Sequence, residues 1–296
     1  MKPRAIFLVT RTPFLILTIS CISVGFASAI YDGYFIPIHA ILALIGSLLA
    51  HIGVNVLNEY HDYNRGTDLL THKTPFSGGS GALPSGIINP SQALKIGVGS
   101  LILGAVIGLY LTILYPILLF FVIIASTIIF LYTPIMLRNK FAEFFPGLSF
   151  GPLLVIGAYI TQLPDNSVSI SIMPVLASIP VGLLVSNLLL LNEFPDYEAD
   201  LQTGRKHGVI ALGRRRSSRL FVLILFSTYI AIIIPTILSI FPLTTFLALA
   251  TLPLAVGTSK NVLRNYDDID MLIPSLAKNT LIVLLTPILL ALGLIV

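Results

Sequence analysis

The chain is predicted to be all-α and polytopic: a bundle of nine transmembrane helices around a central cavity, with its N-terminus in the cytoplasm. Three observations predict this. Of its residues 56% are hydrophobic and 10% charged, with a mean hydropathy of +0.96, a balance outside the soluble globular range. Apolar runs long enough to cross a hydrocarbon core recur along the whole chain, without the alternation of a membrane barrel. A nine-span reading also sorts the basic residues to one side of the membrane.

The spans are expected at about 12–30, 36–58, 94–112, 116–135, 144–162, 171–193, 219–240, 242–258 and 277–295. Lys2, Arg4 and Arg11 precede or open the first. Ala27-Ser28-Ala29 has the small-residue pattern of a signal-peptidase site, but the apolar run is long for a signal segment and the topology needs the span. Cys21, the single cysteine, lies inside it, which excludes a disulfide framework and a cysteine-based metal site. Arg65, Lys73 and Lys95 follow span two, and Arg138 and Lys140 follow span four. Arg205, Lys206, Arg214, Arg215, Arg216 and Arg219 follow span six, and Lys260, Arg264 and Lys278 lie between spans eight and nine. All 17 basic residues thus face the cytoplasm, and the opposite loops carry only Asp32 and Asp165 among charged groups. The net charge of +4 follows from this topology and from a phosphate-rich ligand, and makes no case for nucleic acid. Residues 1–296 read as a single domain without low-complexity linkers or evidence of an obligate protein partner. The long loops, about 59–93, 194–218 and 259–276, are all cytoplasmic, where length of that kind usually serves function.

Two of those loops open with nearly the same phrase. Leu57-Asn58-Glu59-Tyr60-His61-Asp62-Tyr63 returns as Leu191-Asn192-Glu193-Phe194-Pro195-Asp196-Tyr197, and a further aspartate follows each copy, Asp68 and Asp200. Residues four apart share a helix face, which aligns Asn58 with Asp62 and Asn192 with Asp196 and Asp200; Asp68 lies beyond Gly66, where the helix should end. Holding a carboxylate at membrane depth costs roughly 2.5–3.5 kcal/mol. Like charges about 4 Å apart repel by a further ~4 kcal/mol at an effective dielectric of 20. Clustered amide and carboxylate oxygens are the hard ligands Mg²⁺ prefers, with phosphate oxygens completing its shell. Asn58, Asp62, Asp68, Asn192, Asp196 and Asp200 are therefore expected to hold Mg²⁺ ions that grip a diphosphate. Glu59 and Glu193 stand one residue off each stripe, placed to salt-bridge or to face water. The run Lys73–Gly86, KTPFSGGSGALPSG, lets backbone amides approach an anion, with Lys73 and Ser80 contributing side chains. It is not a P-loop. Arg138, Lys140, Arg205 and Lys206 are further diphosphate ligands or topological anchors, and Arg214-Arg215-Arg216 reads as an anchor or a contact for anionic lipid. The five histidines show no HExxH or related metal spacing, and no GxSxG nucleophile is present.

These motifs resemble the UbiA superfamily of intramembrane prenyltransferases, nine-helix bundles with aspartate-rich motifs after helices two and six. Asn58-Glu59-Tyr60-His61-Asp62 through Asp68 is similar to its first motif and Asn192 through Asp200 to its second. Thr203-Gly204-Arg205-Lys206-His207-Gly208-Val209-Ile210-Ala211-Leu212-Gly213 resembles its conserved tail, Arg11-Thr12-Pro13 the opening of helix one, and Tyr132-Thr133-Pro134 the aromatic end of helix four. The extended SGGSGALPSG loop resembles the MenA branch, whose members prenylate 1,4-dihydroxy-2-naphthoate for menaquinone. Glu59 departs from the usual aspartate, and Asn192 from a position often acidic. The resemblance implies Mg²⁺-dependent transfer of a polyprenyl group from its diphosphate to a small aromatic acceptor. It further implies a multi-pass protein of the cell membrane, its active site facing the cytoplasm amid membrane lipids. Asp62 and Asp196 would be essential to catalysis. Tyr132 would shield the allylic cation, and Arg11 would join the diphosphate ligands. Other acceptors within the family (4-hydroxybenzoate, a glycerol-phosphate lipid, haem) and a membrane transporter are the competing readings.

Overall fold

A computed structural model describes residues 3–71, 73–75, 77–164 and 170–296, and among them every regular element is helical. Lys2, His72, Phe76 and Asp165, which entered the sequence-based expectations, lie outside the described residues. The helices are α1 (Pro3–Val9), α2 (Thr12–Tyr31), α3 (Pro37–Arg65), α4 (Thr67–Leu70), α5 (Pro90–Leu114) and α6 (Leu118–Leu131). They continue as α7 (Phe144–Ile160), α8 (Ile172–Gln202), α9 (Gly208–Leu212), α10 (Arg214–Ile237), α11 (Leu243–Asn265) and α12 (Ile269–Ile295). Their ends follow local chemistry. Pro37 and Pro90 start α3 and α5 from the first turn, where no amide partner is needed. Asn89 and Gln92 close a reciprocal capping box on α5. Gly66, with φ at 80°, ends α3 in the left-handed region.

Among the described residues, seven helices are long and apolar enough to cross a membrane: α2, α3, α5, α8, α10, α11 and α12. The remaining two expected spans, 116–135 and 144–162, are shorter apolar helices. Of these, α6 has 14 residues and stops at Tyr132, two residues before Pro134. In α7 the residues Ser149–Ile156 widen into a π-helix around Pro152, which has no amide to donate and displaces the regular ladder. Two helices run on past the expected membrane spans. α3 continues to Arg65 and α8 to Gln202, so both copies of the repeated phrase are helical throughout, including Pro195.

Packing puts α8 at the centre. In its most apolar window 67% of the residues are buried, against 11% in α5. α8 packs on α2, α7, α10 and α12, and its Val181, Val185, Leu188 and Leu191 join Cys21, Phe221, Tyr229 and Ile282 in the main core. α5 lies on the rim against α3 and turns Ile102, Leu103, Val106 and Ile113 outward, the face hydrocarbon would cover. The α7–α8 seam is closed by small residues, with Gly147 and Gly151 against Gly182 and Ser186. A Cβ at Gly151 would lie 2.6 Å from the Gly182 Cα and 2.7 Å from the Ser178 carbonyl oxygen, both backbone atoms that cannot swing aside. Overpacking of this kind costs about 1–3 kcal/mol. Gly151→Val is therefore expected to lower the thermal midpoint in detergent, whereas Gly157→Ala, whose Cβ meets nothing closer than 4.0 Å, leaves it unchanged or raised.

Candidate functional site: two acidic motifs at one end of the bundle

The site is assembled from the last turns of α3 and α8, the short α4, the glycine-rich loop before α5 and the turn leaving α8. That turn does the joining. Gly204, with φ at 77°, follows Thr203; its amide donates to the Leu201 carbonyl at 3.2 Å and the Arg205 amide to the Asp200 carbonyl at 3.0 Å. This is the Schellman arrangement, and it folds the Arg205 side chain back over the helix it has just left. Arg205 Nη1 then donates to Asp200 Oδ1 at 2.7 Å, while Nη2 donates to Asp62 Oδ1 on α3. One guanidinium thus bridges the two motifs. Burial by itself would lower its pKa, but the charges of Asp62 and Asp200 outweigh burial and hold it above its ordinary value.

The other Asp200 oxygen, Oδ2, lies 3.0 Å from His207 Nε2, and His207 Nδ1 lies 3.0 Å from Glu193 Oε2. Burial pulls the imidazole down, yet Glu193 and Asp200 raise it to about 10. Glu143 approaches Glu193 from the segment before α7 and accepts the Gly208 amide at 2.7 Å. Glu143, Glu193 and His207 bring one donor atom each within 4.8 Å of one another. Because both imidazole nitrogens already lie 3.0 Å from carboxylate oxygens, the cluster forms an internal ion network behind Asp200.

The glycine-rich loop lies across both motifs. The Gly78 amide faces Asp196. A Cβ on Gly79 (φ 71°) would stand 2.9 Å from Asp68 Oδ1, so only glycine passes there without moving the carboxylate. Ser80 bonds Glu59 through its amide at 2.5 Å and its hydroxyl at 2.6 Å. The Lys73 ammonium rests against Gly81, and its charge reaches Asp68. Burial, with Asp62 and Glu59 nearby, raises the Asp68 carboxyl to about 7 against the opposing pull of Arg11 and Lys73.

The expected site residues therefore separate into groups. Asp68 Oδ2, Asn192 Oδ1 and Asp196 Oδ1 are buried with no hydrogen-bond partner among the described residues. Asn58 accepts from Thr133 at 3.1 Å, and Asp62 and Asp200 share Arg205. Arg11 and Lys73 stand at the site, Arg11 with its Nε donating to Glu59 at 2.8 Å. Ser80 spends both donors on Glu59. Tyr132, at the end of α6, lies in electrostatic reach of Glu193, Glu143, Arg205 and Asp62. Arg138 and Lys206 are exposed, and Lys140 lies 5.1 Å over the ring of its neighbour Phe141, so these three are not drawn into the acidic cluster. The sequence reading missed Glu143 and His207, which no spacing links to the motifs. It also missed Arg65, whose guanidinium donates to the Thr133 carbonyl at 2.8 Å and pins the end of α6 to α3.

Fold and site together define a multi-pass membrane protein whose working polar groups are gathered at one end of an apolar bundle. The family model described as the UbiA prenyltransferase family matches residues 18–271. The chain belongs to that family and is a prenyltransferase. It is 27% identical over 293 residues to the 1,4-dihydroxy-2-naphthoate octaprenyltransferase of Escherichia coli K12, covering 96% of this chain and 92% of that one. To the enzyme of the same name from Bacillus subtilis 168 it is 28% identical over 176 residues, 58% of this chain and 54% of that one. Among solved structures, a UbiA homologue from Aeropyrum pernix K1 superposes with a TM-score of 0.65 at 15% identity, covering 94% of this chain and 96% of that one. One from Archaeoglobus fulgidus, bound to GPP and Mg²⁺, superposes with a TM-score of 0.59 at 17% identity, covering 98% and 99%. These likenesses show the shared fold.

Removing Arg205 strands two buried carboxylates, a loss of about 3–5 kcal/mol for a broken buried pair. Arg205→Ala is expected to lower the thermal midpoint sharply when measured with a chelator present, and Arg205→Ala/Asp62→Asn to recover part of that loss.

Proposed function

We propose that the chain transfers a polyprenyl group from its diphosphate to a small aromatic acceptor, 1,4-dihydroxy-2-naphthoate, as a step in menaquinone synthesis. The observation that carries this reading is that three oxygens on the two motifs, Asp68 Oδ2, Asn192 Oδ1 and Asp196 Oδ1, are buried with no hydrogen-bond partner among the described residues. Oxygen atoms without donors, backed by further carboxylates, fit a hard divalent cation. Asn58, Asp62, Asp68, Asn192, Asp196 and Asp200 would hold Mg²⁺. Bound there, Mg²⁺ supplies positive charge to the diphosphate as the allylic C–O bond breaks.

The chain's own groups divide the remaining work. Arg11, Lys73 and Arg205 place fixed positive charge beside the acidic stripes, where a diphosphate would lie. Arg138, Lys140 and Lys206 form an outer basic rim that draws the anionic head group in. Gly78–Gly81 lay the backbone close across the site. Tyr132, close to the site's charged groups, would shield the allylic cation. An electron-rich acceptor supplies the nucleophile, so none is required of the protein. A prenyl tail gains roughly 0.8 kcal/mol per buried CH₂, which keeps it in the bilayer and places the chemistry at a helix end. The reading includes nine membrane crossings, with the shorter α6 and α7 counted, in a single domain around a central cavity. The N-terminus and the site face the cytoplasm of the cell membrane, the side the basic residues select. The naphthoate acceptor is supported by the two relatives whose names carry it, and a haem, hydroxybenzoate or glycerol-phosphate acceptor serves as the competing substrate in the assay.

The test is release of pyrophosphate and formation of prenylated product from labelled geranylgeranyl diphosphate in detergent, across a panel of acceptors, with and without Mg²⁺. Asp62→Ala and Asp196→Ala are each expected to abolish product while the protein stays folded. A wild-type rate in either variant would overturn the assignment.

A further inference from the structure

Among the described residues, Glu59 is the acidic residue of the first motif with both oxygens engaged by this chain. It is fully buried. Its Oε1 accepts from Arg11 Nε at 2.8 Å and from the Ser80 amide at 2.5 Å, and its Oε2 accepts from the Ser80 hydroxyl at 2.6 Å. The same hydroxyl receives the Ala82 amide at 3.1 Å, so the turn is tied on both sides of Ser80. Arg11 reaches this carboxylate from a left-handed backbone, φ 50° and ψ 47°, a conformation uncommon outside glycine and kept here at the junction of α1 and α2. Just beyond the knot, Ala82, Leu83 and Ile88 pack with Ala5 and Val9 of α1 and with Val56 of α3. Asp68, Asn192 and Asp196 present the opposite picture, each with a buried oxygen that has no partner among the described residues.

From this contrast we infer that Glu59 is a positioning residue and stands outside the metal shell. It anchors the glycine-rich loop and Arg11 to α3, and so fixes where Gly78 and Gly79 stand over Asp196 and Asp68. The inference rests on the diphosphate reading of the site. It assigns donor-site geometry, a property separate from metal affinity, to the residue whose counterpart in the family motif is usually aspartate. An aspartate at this position is one methylene shorter. A carboxylate drawn back by that length loses the close approach to the Ser80 amide and hydroxyl, so the longer side chain is matched to the loop it holds.

The experiment uses the full chain in detergent as wild type, Glu59→Gln, Glu59→Asp, Ser80→Ala and Glu59→Gln/Ser80→Ala. Three quantities are read: Mn²⁺ affinity by electron paramagnetic resonance without prenyl diphosphate, KM for geranylgeranyl diphosphate at saturating Mg²⁺, and hydrogen exchange of residues 77–83. Loss of charge-assisted hydrogen bonds should raise KM about tenfold in Glu59→Gln and in Ser80→Ala. The double variant should be no worse than Glu59→Gln alone, because the two residues act through one contact. Glu59→Asp should resemble Glu59→Gln, exchange should quicken in 77–83, and Mn²⁺ affinity should stay within about twofold of wild type, well short of the 10–100-fold loss expected on disturbing a metal's supporting residues. The inference is overturned if Glu59→Asp retains wild-type behaviour while Glu59→Gln loses Mn²⁺, the pattern of a ligand. It is overturned equally if the two single effects multiply, or if exchange and KM do not move. Should Glu59→Gln fail to fold, Ser80→Ala and Glu59→Asp carry the same comparison. If the wild type transfers no prenyl group, the reading of the function fails, while the exchange and Mn²⁺ results still decide the role of Glu59.

Discussion

A single guanidinium holds the acidic end of this bundle together, and the local structure around it follows from how that group is delivered. Asp62 and Asp200 come from helices far apart in the chain, and each is almost fully buried. Brought near each other without a counter-ion, two such charges would repel by about 4 kcal/mol at 4 Å and an effective dielectric of 20. The planar fork of arginine can meet two carboxylates at once, which a lysine ammonium does less well. Arg205 is in position because Gly204 takes a left-handed turn after α8 and sends the next side chain back along the helix. The Lys206 amide then donates to the Leu137 carbonyl at 3.1 Å, fastening the same turn to the segment after α6. His207 and Glu193 complete the arrangement from behind. A capping motif that serves ordinary helix termination thus also sets the distance between the two halves of the site.

This concentration of polar groups is possible because the rest of the bundle asks so little of them. The core around α8 is mainly aliphatic and aromatic and holds no charged group; some of its polar side chains pair locally, as Tyr229 with Thr251 at 3.0 Å and Thr251 with Thr286 at 2.8 Å, while Asn187 and Asn279 are buried with no hydrogen-bond partner among the described residues. The rim helix α5 shows apolar side chains outward along its length. Charged residues are thereby left to the helix ends, where desolvation costs less and where a substrate with an apolar tail and an anionic head changes environment. A site nearer mid-depth would need compensation for every carboxylate it held.

How much of this was legible in the sequence depended on the range of the interaction. The helical stripes, the break at Gly66 and the pairing of the two motifs could be read because they rest on local periodicity and on a repeated phrase. Hydropathy located both shorter helices; it ran past the turn beyond Leu131 in the first, matched 144–160 in the second, and does not register the π-helix around Pro152. The stripes were expected on helices that end near the opening of the cytoplasmic loops, and α3 and α8 do carry them as helix, α8 through Pro195 as well. Partners at long separation left no trace. Glu143 meets the Gly208 amide 65 residues on, and Glu59 meets Arg11 across 48. Arg205 could be ranked as a cation near the site, but its choice of Asp62 over a free ligand depends on the fold.

The two off-stripe glutamates show what the repetition does and does not conserve. Glu59 and Glu193 occupy the same place in their phrases, and each is turned away from its stripe toward cationic groups of this chain. Glu59 meets Arg11 together with the Ser80 amide and hydroxyl, while Glu193 meets His207 and lies against Glu143. Equal sequence has thus been put to unequal use: one copy holds a loop and a helix junction, the other braces the aspartate that Arg205 grips. The stripe residues are less completely satisfied: Asp62 and Asp200 share Arg205, Asn58 accepts from Thr133, and Asp68, Asn192 and Asp196 each keep an oxygen with no donor among the described residues. A residue one step off the ligand face can therefore be acidic without competing for a cation, provided that the protein itself satisfies it. The acidic character of each phrase is in this way divided between oxygens left without a donor among the described residues and oxygens that the chain itself satisfies.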